Sequence, residues 1–181
     1  LRAQDIKLYF TISVLATGLV SPDDIAIHPV TKAVYVAEED AGRISVIEGG
    51  RPVSVVNAET PIKGNDVGSA IGLRSPEGMA FDLLGNLYVV EDVAGGRLIR
   101  FAPNKLGAYK KGIVIPIPGS WNNFSWESVD VAPKGELLLA GSDAESAWSQ
   151  QGAKEFSGVI LYRDVEKKWW VVERRLFAGF S

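Results

Sequence analysis

Short runs of β-branched and aromatic residues alternate with turn residues along the chain, and no stretch has the 3.6-residue periodicity of an amphipathic helix. The links between the first two strands of each group, HPVTK, DLLGN and APKG, contain the Pro, Gly, Asn and Asp residues that tight turns require. The pattern therefore predicts an all-β protein with strands in groups of four. The predicted strands lie near Ile25 to Ile27, Ala33 to Glu38, Ile44 to Ile47 and Val53 to Val56; Met79 to Phe81, Leu87 to Val90, Leu98 to Phe101 and Ile113 to Ile117; and Val129 to Val131, Glu136 to Ala140, Val159 to Tyr162 and Trp169 to Val172.

Three stretches of the chain repeat one sequence pattern. They are SPDDIAIHPVTKAVYVAEEDAGRISVI from Ser21, SPEGMAFDLLGNLYVVEDVAGGRLIRF from Ser75, and SWESVDVAPKGELLLAGSDAES from Ser125, which SGVILYR continues. A repeat of roughly 50 residues with four strands is typical of one β-propeller blade. We therefore predict a single propeller segment over residues 1–181. Its blades fall at about 21–57, 75–118 and 125–178, and residues 1–20 hold the outer strand of a preceding blade, near Leu8 to Val14.

The first two repeats, over residues 21–101, resemble NHL repeats and the blades of six-bladed propellers of the gluconolactonase and strictosidine synthase superfamily. The third repeat matches more loosely, because it has Trp126 where the others have proline and Gly141 where they have Glu38 and Glu91. The resemblance implies a ring of six blades. It implies no single activity, since this fold hosts hydrolases, lyases and binding modules.

Three blades do not close a propeller, since closed rings usually have about four to eight. A blade at either end of an open arc also lacks the neighbour that would cover it. The missing blades would come either from a second copy, in a homodimer, or from the rest of a longer chain. The absence of an initial methionine and the end of the chain at a repeat boundary favour the longer chain.

An acidic residue recurs at the start of the first strand of each repeat, as Asp23, Glu77 and Glu127. In an antiparallel blade this point lies at the same end of the sheet as the link after the second strand. Like charges that converge there repel one another unless a cation or bound protons neutralise them, and Ca²⁺ is the hard cation that carboxylates favour. We therefore predict a calcium site with these three residues as metal ligands. Further acids expected at the same end are Glu38, Glu39, Glu91, Asp92 and Asp143.

The alternative for these acids is a purely structural role, in which they cap strand ends or pair with Arg43, Arg74 and Arg97. Perturbed carboxylate clusters are often functional, but ion pairs also produce them. The sequence leaves both interpretations open.

Glu77, in SPEGMAF, resembles the metal-binding glutamate of the Glu-Gly-Pro motif in the gluconolactonase-like family, although Met79 replaces the proline. The resemblance implies that Glu77 is a metal ligand. If the protein is a calcium-dependent hydrolase, the three first-strand acids hold the ion, and Glu91 or Asp143 is the catalytic general base.

All five tryptophans follow residue 120. Trp121, Trp126 and Trp148 are expected on the face that carries the acids, with Trp148 in the long connection between Ser142 and Ser157. An aromatic wall beside carboxylates suits a small polar ligand such as a sugar or lactone, so the three are candidate ligand-binding residues. Packing between blades is the alternative.

Composition narrows the range of functions. The net charge is −3 with no basic stripe, which argues against nucleic acid as a partner. The absence of cysteine excludes disulfides and thiolate chemistry. The chain has no run of roughly 20 apolar residues, so no membrane span is predicted. A secreted or periplasmic location is favoured over others. The single histidine, His28, is expected in a turn on the opposite face, which excludes a Ser-His-Asp triad among the acids.

Three functional hypotheses remain. The first is a binding module that recognises a protein or small molecule through an acidic channel mouth. The second is a calcium-dependent hydrolase of lactones or esters. The third is a structural segment of a larger protein.

Overall fold

The computed structural model describes residues 12–64, 72–93, 95–121, 124–142 and 155–178. Their strands form three sheets, and within each sheet four strands pair antiparallel in chain order. The described residues include a 3₁₀ turn at Gly119–Trp121 and no helix long and apolar enough to cross a membrane. The protein is all-β, as predicted.

Each sheet forms one blade. Blade 1 contains β1 (Pro22–Ile27), β2 (Val34–Glu38), β3 (Arg43–Glu48) and β4 (Arg51–Val56). Blade 2 contains β6 (Pro76–Phe81), β7 (Leu87–Glu91), β8 (Leu98–Phe101) and β9 (Gly112–Ile115), and β5 (Ile62–Lys63) adds a fifth strand to it. Blade 3 contains β10 (Ser125–Val131), β11 (Leu137–Ser142), β12 (Glu155–Arg163) and β13 (Trp169–Ala178).

The twelve predicted strands are all present, with ends that shift by a few residues. The sequence analysis missed β5, which pairs in parallel with the outer strand β9 of blade 2. The expected strand near residues 8–14 begins outside the described residues, and from Ile12 to Leu19 the chain forms no strand. Instead, the amide of Thr17 donates to the carbonyl of Gly50, 3.1 Å away, in the turn between β3 and β4.

Two apolar cores hold the three blades together. The first lies between blades 1 and 2 and includes Tyr35, Ile44, Val89 and Phe101 among its buried residues. The second lies between blades 2 and 3, with Val90, Leu98, Leu139 and Leu161 among its members. Alternate residues of β7 therefore enter different cores, because successive side chains of a strand point to opposite faces. The inner strands β1, β6 and β10 adjoin in order.

The inner strand of every blade contains one extra residue near its start. The register shifts between Pro22 and Asp24 in β1, between Pro76 and Met79 in β6, and between Trp126 and Ser128 in β10. Such a bulge turns its residue out of the regular alternation of faces. The recurring acid of each repeat lies within this bulge, which explains how three carboxyl groups leave the packed faces of their blades.

A second repeated feature fixes the chain before each of the first two inner strands. Ser21 and Ser75 have positive φ angles of 44° and 42°, which are uncommon for residues with a side chain. Their carbonyls accept 2.9 Å hydrogen bonds from the amides of Glu39 and Asp92. The residue after β2 is thereby held beside the start of β1, and the residue after β7 beside the start of β6.

Candidate metal centre and the channel mouth

The site begins with three carboxyl groups from two blades. Asp23 lies in the bulge of β1, Glu39 follows β2, and Glu77 lies in the bulge of β6. Each offers a carboxylate oxygen, and these oxygens all lie within 4.8 Å of one another. Asp23 is exposed, whereas Glu39 and Glu77 are half-buried. We call these three residues, together with the nearby Asp92 and Glu127, the acidic mouth.

Serine hydroxyls orient two of these carboxylates. The Oγ atom of Ser75 donates to Oε1 of Glu39 at 2.8 Å, which ties the start of blade 2 to the end of β2. The Oγ atom of Ser142 donates to Oε1 of Glu127 at 3.2 Å. Strand pairing places Ser142 at the position that Glu39 and Asp92 occupy in the other blades. Blade 3 therefore has a hydroxyl where its neighbours have a second acid.

Burial and like charge together favour protonation of two carboxyl groups of the acidic mouth. Burial raises the pKa of Glu77 to about 7, and the negative charges of Asp23, Asp92, Glu39 and Glu127 act in the same direction. Burial and the charge of Asp92 also raise the pKa of Glu127, partly opposed by the hydrogen bond from Ser142. A bound cation would relieve the same repulsion.

The glycine after Glu77 sets the spacing between two inner strands. A Cβ atom on Gly78 would lie 2.7 Å from the carbonyl oxygen of Glu127 and 2.7 Å from Cα of Ser128. Only a residue without a side chain lets β6 and β10 approach this closely. The Glu-Gly pair of SPEGMAF thus combines a mouth carboxylate with the contact that brings Glu127 close to it.

Glu38 and Glu91 lie outside the mouth, although they are adjacent in sequence to Glu39 and Asp92. Both are fully buried. Glu38 accepts two hydrogen bonds from Arg43 and one each from the Ser45 hydroxyl and the Val20 amide. Burial alone would raise the pKa of Glu38, but these hydrogen bonds and the charge of Arg43 outweigh it and lower the pKa below its ordinary value.

Glu91 has the equivalent role in blade 2. It receives side-chain hydrogen bonds from Arg97 and Arg74 and backbone amide bonds from the same two residues. A carboxylate with all its partners inside the blade has no access to a substrate. The purely structural role, in which acids pair with arginines, therefore applies to Glu38 and Glu91. Asp23, Glu39 and Glu77 instead lie together in the mouth. Asp143, the other expected base, lies outside the described residues.

Of the candidate ligand-binding tryptophans, the two that the structure describes lie in or against the core between blades 2 and 3. Trp126 is 0% exposed, between blades 2 and 3, and no surface of it remains for a ligand. Trp121 is half-buried and packs edge-on against Phe124, with ring centroids 5.0 Å apart. Trp148 lies outside the described residues. Packing between blades is thus the role that the structure gives to Trp126.

His28 is less exposed than a turn residue would suggest. Its Nδ1 accepts from the amides of Val30 and Thr31, and its ring packs edge-on against Phe81 at 5.0 Å between centroids. Burial and the charge of Lys32 lower its pKa. A neutral, turn-capping imidazole agrees with the expectation that His28 takes no part in the acidic site.

The sequence pattern did not single out Glu39 among the acids expected near the mouth. The available signal was its position, one residue beyond the buried Glu38 and aligned with Asp92 in the next repeat. The backbone alternation predicts that neighbours on a strand point to opposite sides. Ser75 was also missed, because its role depends on contact with another blade.

The fold has clear relatives among solved structures. A protein proposed to be a gluconolactonase is 14% identical, with a TM-score of 0.61, over 92% of this chain and 53% of its own. A Xanthomonas campestris gluconolactonase is 10% identical, with a TM-score of 0.59, over 91% of this chain and 49% of its own. The chain has a gluconolactonase-like propeller fold. It spans about half the length of these two relatives.

A third structure shows that a protein named for a different activity has a similar fold. The PQQ-bound aldose sugar dehydrogenase of Streptomyces coelicolor is 13% identical, with a TM-score of 0.51, over 92% of this chain and 62% of its own. No family model matches the chain, and no curated protein matches it either. At these identities the similarities establish the fold, and the function has to be argued from the acidic mouth.

Proposed function

We propose that the acidic mouth binds a divalent cation, and calcium in preference to others, at the centre of a ligand-binding site. The observation that supports this is the convergence of Asp23, Glu39 and Glu77, whose carboxylate oxygens lie within 4.8 Å of one another. An all-oxygen, all-anionic donor set suits a hard cation. Softer metals favour the imidazole and thiolate ligands that are missing from these three residues.

The electrostatics of the mouth also fit a cation. The nearby arginines Arg43, Arg74 and Arg97 pair with Glu38 or Glu91. The positive charges of these arginines therefore pair with the buried carboxylates. The mouth carboxylates are left among like charges, and burial together with those charges raises the pKa of Glu77. Calcium takes about six to eight oxygen ligands, so three carboxylates would leave room for oxygen atoms of a bound molecule. A sugar, a lactone or a carboxylated compound has that chemistry.

The cation site is tested by calorimetric titration of calcium into chelator-treated protein. We expect binding by the natural sequence and at least tenfold weaker binding by Glu77→Gln and by Glu39→Gln, since each removes one anionic ligand. Glu48→Gln is the matched control, because Glu48 is an exposed acid that ends β3 at the opposite edge of the blade. Equal binding by all four proteins would place calcium elsewhere and refute the proposal.

Hydrolysis of a lactone or ester is a second candidate, favoured by the position of Glu127. This carboxyl group is exposed at the mouth, and its Oε1 accepts from Ser142, which leaves Oε2 to take a proton from water. Its raised pKa brings it closer to the range in which a general base works at neutral pH. A bound cation would supply polarisation of the substrate carbonyl and a lowered pKa of water. Glu127, which the sequence predicted as a metal ligand, is not in the group of three converging carboxylates and replaces the buried Glu91 as the proposed base.

An activity screen separates the two candidates. If the protein is a hydrolase, a panel of lactones, esters and phosphoesters will include a substrate. Glu127→Gln will still bind calcium through Asp23, Glu39 and Glu77, but it will hydrolyse that substrate at least a hundredfold more slowly, about the contribution of a general base. A binding module will show calcium-dependent binding of such compounds without turnover. A structural segment will tolerate both the Glu77 and the Glu127 substitutions with no change in either assay.

A further inference from the structure

Both ends of the three-blade arc present apolar residues to solvent. On the outer face of blade 1, Ile25 and Ile27 are 65% and 61% exposed. On the outer face of blade 3, Leu138 and Ile160 are 43% and 39% exposed. Apolar side chains grouped on one sheet face mark interaction surfaces. We call these two surfaces the leading face of blade 1 and the trailing face of blade 3.

The leading face of blade 1 is equivalent to two faces that are buried within the chain. Strand pairing places Ile25 at the position of Met79 in blade 2 and of Val129 in blade 3. Met79 is 4% exposed in the core between blades 1 and 2, and Val129 is 5% exposed in the core between blades 2 and 3. Ile25 therefore has the side chain of an interface residue, and among the described residues no blade lies against it.

The trailing face of blade 3 is equivalent to the opposite side of the same interfaces. Leu138 occupies the position of Tyr35 in blade 1 and Tyr88 in blade 2, which are 8% and 7% exposed. Ile160 occupies the position of Leu98, which is 0% exposed. Within the described residues, this type of interface forms twice, and one unmatched half of it lies at each end of the arc.

We infer that two copies of this chain close a single propeller ring, with the trailing face of blade 3 in each copy packed on the leading face of blade 1 in the other. A second copy supplies both missing halves at once, and a twofold axis makes the two joints identical. Six blades lie within the usual range of about four to eight.

Ring closure would complete the acidic mouth. Each copy contributes one set of inner-strand acids, so the second copy adds its own Asp23, Glu77 and Glu127 around the same channel. The assembly is argued from the apolar faces alone and does not depend on the proposed cation site. It can therefore be tested in the presence of chelator, where failure to dimerise and failure to bind calcium are separate results.

The internal joint identifies which residues would meet. Between blades 1 and 2 the rings of Tyr35 and Phe81 pack edge-on with centroids 5.0 Å apart. Leu138 is the counterpart of Tyr35, and Ile27 is the counterpart of Phe81. Leu138 of one copy would therefore contact Ile27 of the second copy.

The decisive experiment measures mass in solution by light scattering, with chelator present and over a range of protein concentrations. We expect twice the chain mass of 19.5 kDa. Ile27→Lys and Leu138→Glu should each yield monomers with an unchanged circular dichroism spectrum, since both side chains are exposed in the single chain. Both changes in one chain should restore the dimer, because opposite charges then meet at both joints. Leu106→Lys, at a loop residue that is 91% exposed, is the control and should remain dimeric.

Four results would overturn the inference. The first is a natural chain that stays monomeric at every concentration. The second is a dimer that neither single substitution affects, since it would use another surface. The third is a double variant that stays monomeric, which would show that these two faces do not pair. Assemblies that grow beyond two copies would likewise exclude a closed ring.

Discussion

Gly141 lies directly against the indole ring of Trp126, so closely that a Cβ atom on Gly141 would fall 2.6 Å from the ring carbon Cε3. These two residues are paired across β10 and β11, where blades 1 and 2 have a proline opposite a buried glutamate. The third blade thus fills with an aromatic ring the space that the others fill with an ion pair. The two departures of blade 3 from the repeat, tryptophan for proline and glycine for glutamate, therefore compensate each other.

Gly141→Ala should destabilise the protein by about 1–3 kcal/mol, because the new methyl group would overpack the joint. It would contact Trp126 and also clash with the carbonyl oxygen of Ser125. Urea unfolding measures the change in free energy. The penalty should shrink when Trp126 is replaced by leucine in the same chain, so strict additivity of the two substitutions would contradict this packing.

Glu91→Gln should destabilise the protein by about 3–5 kcal/mol, because it leaves the buried Arg97 without a matching charge. The control is Glu166→Gln, which breaks an exposed pair with Lys168 and should cost about 1 kcal/mol or less. Thermal and urea unfolding of both variants test the contrast. Equal effects would mean that Glu91 does not stabilise the blade through its ion pairs.

The stability of the calcium-free protein should depend on pH through Glu77. Its pKa is 4.5 ordinarily and about 7 in the fold, so the folded state binds the proton more tightly. The stabilising contribution of that proton is complete below pH 4.5 and is lost as the pH rises through about 7. Well above pH 7, Glu77→Gln should therefore be more stable than the natural sequence, by about 2 kcal/mol after allowance for solvent screening.

The measurement is the free energy of unfolding against pH for both proteins, in chelator. The difference between them should vanish below pH 4.5, because glutamine resembles the protonated acid. A difference that stays constant across this range would show that neither burial nor the neighbouring charges disfavour the ionised form of Glu77. Calcium should abolish the advantage of the variant, since the cation stabilises the ionised form.

Gly78→Ala should weaken both stability and calcium binding. A methyl group there would meet the carbonyl of Glu127 at 2.7 Å and force β6 and β10 apart, at a cost of about 1–3 kcal/mol. Calorimetry with calcium separates the two effects, provided that the variant is still folded by circular dichroism. Unchanged affinity would mean that the spacing of these two strands does not shape the cation site.

The strands were predictable from sequence because their alternation and turns are local properties. Leu98–Phe101 matches its predicted bounds, and the other predicted strands overlap the observed ones. The two-residue strand β5 was not predictable in this way, since its partner β9 lies about 50 residues further along the chain and pairs in parallel. A strand that short carries no periodic signal of its own.

The acidic mouth was predictable only in part. The repeats revealed Asp23 and Glu77, because the same chemical type recurs at one position. The repeats did not distinguish Glu38, which is buried and paired with Arg43, from Glu39, which reaches the mouth. That distinction depends on which side of the strand each residue faces and on partners that are distant in sequence. Trp126 was misleading for a related reason. Its ring packs against Gly141 on the neighbouring strand, where the glycine has no side chain to occupy that space.

The bulge at the start of each inner strand gives the protein freedom to change its chemistry. A residue at position 23, 77 or 127 lies outside the regular alternation, so its side chain can be exchanged without moving the core residues that follow it. Deleting that residue would have the opposite effect, because the strand would slip by one and turn its apolar set to the wrong face. Mutation can therefore change the acidic mouth one side chain at a time, while the backbone of the blade is inherited unchanged.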